Sequence, residues 1–168
     1  TYDAIIRDHF DWSPEEAREV TTRKLLRQEV AYHIDDQANR QKLALEKLLG
    51  TQADFDKIAL ELGGTGDAKV LSSVTPLVPS NNQDGGLAVT AAGLKKGEVS
   101  SIFKSTSGDG YYVVKLLDSD STGRISYAYI KIPLTVFEAQ LADVIKQGKV
   151  KEYISIAALQ TQPVQNVK

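Results

Sequence analysis

The sequence predicts an α+β fold: a small antiparallel sheet flanked by helices, with an N-terminal helical arm and C-terminal helices. Three observations carry this. The first third of the chain has apolar residues at helical spacing, interrupted by helix-capping signals. From about residue 69 to 132 the spacing shifts toward a two-residue period rich in valine, isoleucine and tyrosine. After Pro133 a second capping signal returns the pattern to helix.

Taken in order, Tyr2, Ile5, Ile6 and Phe10 fall on one helical face, and Asp11-Trp12 interrupts it. Ser13-Pro14-Glu15-Glu16 is a helix start: Ser13 can cap, Pro14 needs no N–H there, and Glu16 can return a bond to the cap. That helix is predicted to reach about Ile34, with Val20, Leu26, Val30 and Ile34 roughly aligned. Asp35-Asp36 begins a second helix, ended by Gly50. Residues 51–54 begin a third, with Phe55, Ile58, Ala59 and Leu62 on one face and a stop at Gly63-Gly64.

Residues 69–74 lean toward strand, and Pro76 to Gly86 reads as a loop. Leu87, Ala91 and Leu94 mark a short helix before Gly97. Strands follow at Val99–Lys104 and Tyr111–Leu117, then a turn at Asp118–Gly123 and a strand at Ile125–Ile132. So short a connection predicts that the last two strands pair antiparallel. Thr135-Val136-Phe137-Glu138 reads as a capping box for a helix to about Gln147, closed by Gly148. A last helical piece is expected over Lys149–Leu159, and a polar tail from Gln160. The chain divides accordingly into a helical arm (1–50), a sheet domain (51–133) and C-terminal helices with a tail (134–168).

Composition limits the function. Of 168 residues, 20 are basic and 22 acidic, with no basic stripe, so nucleic acid is not an expected partner. There is no cysteine, which excludes disulfides, thiol catalysis and cysteine-ligated metals. His9 and His33 lie apart on predicted helices and make no metal site. Asp118-Ser119-Asp120-Ser121-Thr122-Gly123 imitates the start of a calcium loop, but its twelfth position is Tyr129, not Glu, so a hairpin turn is the better reading. Gly63-Gly64-Thr65-Gly66 lacks the Lys-Ser/Thr of a phosphate loop. No metal and no cofactor is expected.

Four tyrosines, Tyr111, Tyr112, Tyr127 and Tyr129, fall on the two hairpin strands. Alternation sets Tyr111 and Tyr112 on opposite faces and Tyr127 and Tyr129 on one. Packing with a peripheral hydroxyl is one reading of them; a functional groove is the other.

Ala38–Leu49, Ala53-Asp54-Phe55 with Ile58-Ala59, Leu94-Lys95-Lys96-Gly97-Glu98-Val99-Ser100 and Gly110-Tyr111-Tyr112-Val113-Val114-Lys115-Leu116 together resemble parvulin-type peptidyl-prolyl isomerases over roughly residues 38–117. The preceding helices, with Leu25-Leu26-Arg27-Gln28-Glu29-Val30, resemble the helical arm of SurA- and PrsA-type foldases. The resemblance implies an exported, extracytoplasmic folding factor acting on unfolded or proline-containing polypeptides, with an export signal or membrane anchor ahead of Thr1. The oligomeric state is left open.

The departures bear on catalysis. Tyr112 stands where active parvulins carry a histidine, and Leu87 stands where a groove phenylalanine is usual. Gln83 falls near the usual Met or Leu, Val74 near the central Cys or Asp, and Ser72-Ser73 at a glycine pair. The family's opening strand is missing before Ala38. Tyr127-Ala128-Tyr129-Ile130-Lys131-Ile132-Pro133 resembles it but comes last, which implies a circular variant with Tyr129 in the place of the first histidine, facing Tyr112. The substrate groove is then expected at Leu87, Phe103, Tyr112 and Tyr129, with Tyr112 and Tyr129 as candidate catalytic residues. Isomerisation must lower an amide barrier of about 18–20 kcal/mol, which requires contacts that improve as the amide twists. With those positions altered, the expectation is peptide binding with weak or lost turnover. The alternative is a non-catalytic structural or partner-docking module on the same fold.

Overall fold

The computed structural model describes residues 2–149. Its helices are α1 (Tyr2–Phe10), α2 (Pro14–Ile34), α3 (Asp36–Leu49), α4 (Phe55–Leu62), α5 (Leu87–Ala92) and α6 (Val136–Lys146). Its strands are β1 (Leu71–Val74), β2 (Val78–Pro79), β3 (Phe103–Lys104), β4 (Gly110–Ser119) and β5 (Arg124–Pro133). The architecture is α+β, as the sequence predicts.

The helix starts follow the capping chemistry. Ser13 Oγ accepts from the Glu16 N–H (3.2 Å) while Glu16 Oε2 accepts from the Ser13 N–H (2.8 Å), completing the reciprocal box. Asp35 caps α3 through Ala38 N (3.0 Å), and Asp54 caps α4 through Asp56 and Lys57 N. Asp11, at φ 54°, ends the run of α1 in a left-handed conformation that a short polar side chain tolerates.

The sheet is antiparallel in the order β1-β5-β4-β3, with β2 also against β5. β5 therefore lies inside the sheet, between β1 and β4. The hairpin turn is an Asx turn: Asp120 Oδ1 accepts from Thr122 N (2.8 Å) and Arg124 N (3.0 Å). Gly123 supplies the positive φ of 76°.

Two apolar layers cover the sheet. On one face Tyr111, Val113, Ala128, Ile130 and Ile132 pack against α3, α4 and Tyr32 at the end of α2. On the other, Tyr112, Val114, Leu116, Ile125 and Tyr127 pack against Leu87, Ala88 and Ala91 of α5. The boundary expected at residue 50 does not coincide with a break in packing, since Ala38 and Leu45 of α3 are buried in the first layer.

Several expectations are corrected. The strand expected at Val99–Lys104 is reduced to Phe103–Lys104, with one isolated bridge from Val99 to Lys115. The expected loop from Pro76 contains β2, which pairs Val78 with Ile125. Thr135 makes no side-chain cap, so the second capping box does not form. The reason is that a better acceptor is already there. Asp35, only 1% exposed, turns its second oxygen to Thr135 N (2.9 Å) and Val136 N (3.3 Å), so one carboxylate starts both α3 and α6. Val20, Leu26 and Val30 are all exposed: the apolar residues of α2 spread around it without forming one face, and only Tyr32, in its last turn, joins the core over the sheet. Polar ties hold the arm instead: Arg27 to Glu138, Lys104 to Glu29, and Gln28 to the Thr106 carbonyl. His33 lies in α2, exposed and outside the sheet. The piece expected over Lys149–Leu159 and the tail lie outside the described residues, apart from Lys149 itself.

Candidate functional site

The site is built on the face roofed by α5. Register pairs Tyr112 with Lys131, Val114 with Tyr129 and Leu116 with Tyr127, so these six side chains share that face. Tyr129 sits in the middle of an aromatic row. Its ring lies 6.1 Å from Tyr112 and 6.4 Å from Tyr127, and Phe103 lies 6.3 Å beyond Tyr112. All four residues expected to line the groove, Leu87, Phe103, Tyr112 and Tyr129, therefore belong to one cluster.

They are not equally accessible. Leu87 is 5% and Tyr112 6% exposed, while Phe103 and Tyr129 keep partly open surface. Beside Phe103 a depression of about 380 Å³ runs between the 82–86 loop, Thr90 and Thr106. Its floor does not include Leu87, Tyr112 or Tyr129.

The polar groups around the row were not foreseen. Asp109 lies in the turn before β4 and accepts hydrogen bonds from Tyr112 (2.9 Å), Ser107 (2.7 Å), Ser105 and Lys131. The Lys131 ammonium also stands 5.6 Å from the centre of the Tyr112 ring. At the other end of the row, Tyr127 donates to Asp84 (2.6 Å), which also accepts from Ala88 N and Asn82. Two carboxylates thus clamp the outer tyrosines, and the middle hydroxyl, that of Tyr129, has no partner among the described residues.

The electrostatics follow. Burial works against ionisation of Asp109, but the bonds from Lys131, Ser105, Ser107 and Tyr112 outweigh it and hold its carboxyl far below the usual range. Asp84 is lowered in the same way: burial opposes, and Tyr127, Ala88 and Asn82 prevail. Burial first, and then the bond to a carboxylate, push the hydroxyls of Tyr112 and Tyr127 well above the ordinary phenol value. Both remain neutral donors with their protons committed, so neither is poised as a base or a nucleophile. The face offers apolar and aromatic surface and one open phenol, while the Lys131 ammonium is engaged by Asp109.

The Lys-Gly-Glu-Val-Ser element has a structural use. Gly97 N donates to Leu116 O (2.8 Å), Leu116 N to Glu98 O (3.2 Å) and Ser100 N to Val114 O (2.8 Å), so this stretch covers the outer edge of β4. Gly110, in the Gly-Tyr element, is required because a Cβ there would collide with the Ile132 carbonyl. The period of β5 could have revealed Lys131, which continues the spacing of Tyr127 and Tyr129. Nothing in Ser105-Thr106-Ser107-Gly108-Asp109 distinguishes it from an ordinary turn. Among the described residues no three His, Asp or Glu side chains gather as a metal site, and no helix is long and apolar enough to cross a membrane. Comparison with protein-family models, with curated proteins and with solved structures finds no match.

Proposed function

We propose that the chain is the polypeptide-binding part of an exported folding factor, with a parvulin-like domain in which prolyl isomerase turnover is weak or lost. The observation behind this reading is the position of β5. Lying between β1 and β4, it brings Tyr129 beside Tyr112 on the face roofed by α5, the arrangement that the resemblance of Tyr127–Pro133 to a displaced opening strand calls for. Clients are unfolded or extended, proline-containing segments, met outside the cytoplasm, with an export signal or anchor ahead of Thr1.

Loss of turnover is argued from the site. A catalyst of amide rotation needs groups that bind the twisted amide better than the planar one. Here the Tyr112 hydroxyl is spent on Asp109, and Leu87 offers no aromatic wall. Phe103 and Tyr129 still supply apolar surface for ground-state binding. The burial of Leu87 and Tyr112 favours a second reading, a partner-docking module whose groove is filled. Two measurements separate them. The purified chain is expected to leave exchange of a proline tetrapeptide at its uncatalysed pace, roughly tens to hundreds of seconds, yet to bind an apolar extended peptide in a manner weakened by Tyr129→Ala. Acceleration well above that pace overturns the loss of catalysis. Absence of both turnover and binding favours the docking module.

A further inference from the structure

We infer that the free edge of β1 takes up an extended polypeptide as an added strand. This goes beyond the aromatic face: the edge lies one strand away from Tyr129, which pairs with Ser73, and it presents backbone groups, not rings. It shares with the proposed function the kind of partner.

The two borders of the sheet are unlike. The outer edge of β4 is covered by Gly97, Glu98 and Ser100 and then by β3. At the β1 border, Thr75 N donates to Tyr127 O (2.9 Å) and Tyr127 N donates to Thr75 Oγ1 (3.1 Å). Antiparallel ladders alternate, so Ser73 and Leu71 likewise turn their N–H and C=O groups toward β5. Ser72 and Val74 turn theirs outward. The next outward N–H, that of Val70, is already taken by Gly63 O (3.0 Å). Those of Ser72 and Val74 have no backbone partner among the described residues.

The surroundings fit an apolar strand. Leu71 is 47% and Val74 60% exposed, and Leu60 of the neighbouring α4 is 82% exposed. Between Asp56, Leu60, Lys69 and Leu71 a depression of about 230 Å³ opens beside the edge, with Asp56 held by the Ser72 hydroxyl and Lys69 at its rim, so that it takes an apolar or a hydroxyl side chain. An incoming backbone would pair with Ser72 and Val74 while one side chain enters this depression, the two elements of strand addition. Charged and proline residues that would repel such pairing are absent from Leu71–Val74 itself.

The occupant is an extended segment of another polypeptide, not a second copy of this chain. β1 has 4 residues and is about 13 Å long. Two such edges joined across a two-fold axis fall far short of the roughly 1,000 Å² that a stable dimer needs. An unfolded segment requires only the edge, and its weak, sequence-tolerant backbone pairing suits a transient client.

The test uses the whole chain and a fluorescein-labelled peptide of alternating valine and threonine with lysine ends. Val74→Pro removes one outward N–H, a change that an edge strand tolerates where the N–H faces solvent. It is expected to weaken binding about three- to tenfold with the melting temperature little changed. A peptide N-methylated along its middle should not bind, which keeps the test valid should Val74→Pro unfold. Bound peptide should slow amide exchange at Ser72 and Val74, and Val74→Pro should remove that protection at Ser72. Equal binding by Val74→Pro or by the methylated peptide overturns the inference. So does protection confined to Phe103 and Tyr129, failure of the parent peptide to bind, or a concentration-dependent dimer that Val74→Pro abolishes.

Discussion

The two faces of the sheet both use buried tyrosines, but they satisfy the hydroxyls differently. On the α3–α4 face, Tyr32 donates to the Gly110 carbonyl (2.7 Å) and Tyr111 to Asn39 Oδ1 (2.8 Å), both neutral acceptors. On the α5 face, Tyr112 and Tyr127 donate to the carboxylates of Asp109 and Asp84. The first face is closed by two helices and Tyr32; the second has only the single short helix α5 and leaves Tyr129 and Phe103 partly open. A neutral acceptor makes a tyrosine part of a core. An ionised one makes the packing depend on charge and pH, a dependence that a purely structural face does not need.

The largest effect expected from this contrast lies on the neutral face. Ile130 is fully buried there, between the sheet and the helices. Ile130→Ala should cost about 2–5 kcal/mol in urea unfolding, the range for a cavity in a well-packed layer. On the α5 face the most disruptive single change is Asp109→Ala, which strips four donors of their acceptor. The carboxylate is 42% exposed, and solvent screens it, so the expected loss is smaller, about 1–2 kcal/mol. A larger loss for Asp109→Ala than for Ile130→Ala would reverse the assignment of the two faces.

Acid should separate the faces by direction. Asp109 and Asp84 are held below their ordinary values when folded. Their contribution to stability is therefore present above the unfolded carboxyl value of about 3.9 and is lost as pH falls through the folded values. Stability measured from pH 7 downward should fall below about pH 4, and Asp109→Asn should shrink that fall. Alkali should not discriminate. Tyr32 and Tyr111 on one face and Tyr112 and Tyr127 on the other are all raised, primarily by burial. Their contribution is present below the unfolded value and lost as pH rises through the folded ones, whichever face carries them.

The sequence made one of these faces easier to read than the other. Alternation and capping are local, so the helices and the hairpin were legible from residue spacing and turn length, whereas the central place of β5 and the juxtaposition of Tyr112 with Tyr129 were expected only from the resemblance of Tyr127–Pro133 to a displaced opening strand. The clamps are not local in the same sense. Asp84 meets Tyr127 across 43 residues, and Asp35 reaches Val136 across 101. No periodicity encodes a carboxylate's choice among distant donors. Thr135 misled for that reason: its spacing to Glu138 was right for a capping box, but Asp35 had already taken the backbone groups. The apolar residues of α2 misled differently: Val20, Leu26 and Val30 only roughly share a side of a helix without a coherent apolar face, and all three stay exposed.

Removing single hydroxyls tests the contrast more finely. Tyr112→Phe deletes a bond to an ionised acceptor and should cost about 1.5 kcal/mol or more, whereas Tyr111→Phe deletes a bond to a neutral amide and should cost about 1 kcal/mol or less. Tyr112→Phe should also return the pH dependence of stability part of the way toward that of Asp109→Asn, a shift that Tyr111→Phe should not produce. Equal costs and identical acid limbs would mean that the carboxylate is too well solvated to matter.

Tyr129→Phe is expected to have the smallest effect of all and the most to say about function. Its hydroxyl has no partner among the described residues, so losing it should change stability by about 0.5 kcal/mol or less. The ring remains, and with it the contacts to Tyr112 and Tyr127. If the α5 face binds polypeptide through aromatic surface alone, Tyr129→Phe should bind an extended apolar peptide as the parent does and only Tyr129→Ala should fail. If the open phenol instead donates to the client's backbone, Tyr129→Phe should lose about three- to tenfold in affinity with stability unchanged. A loss of stability above about 1 kcal/mol would mean that the hydroxyl is already satisfied within the protein. The α5 face would then be as closed as its opposite, and the docking-module reading would stand in place of the folding factor.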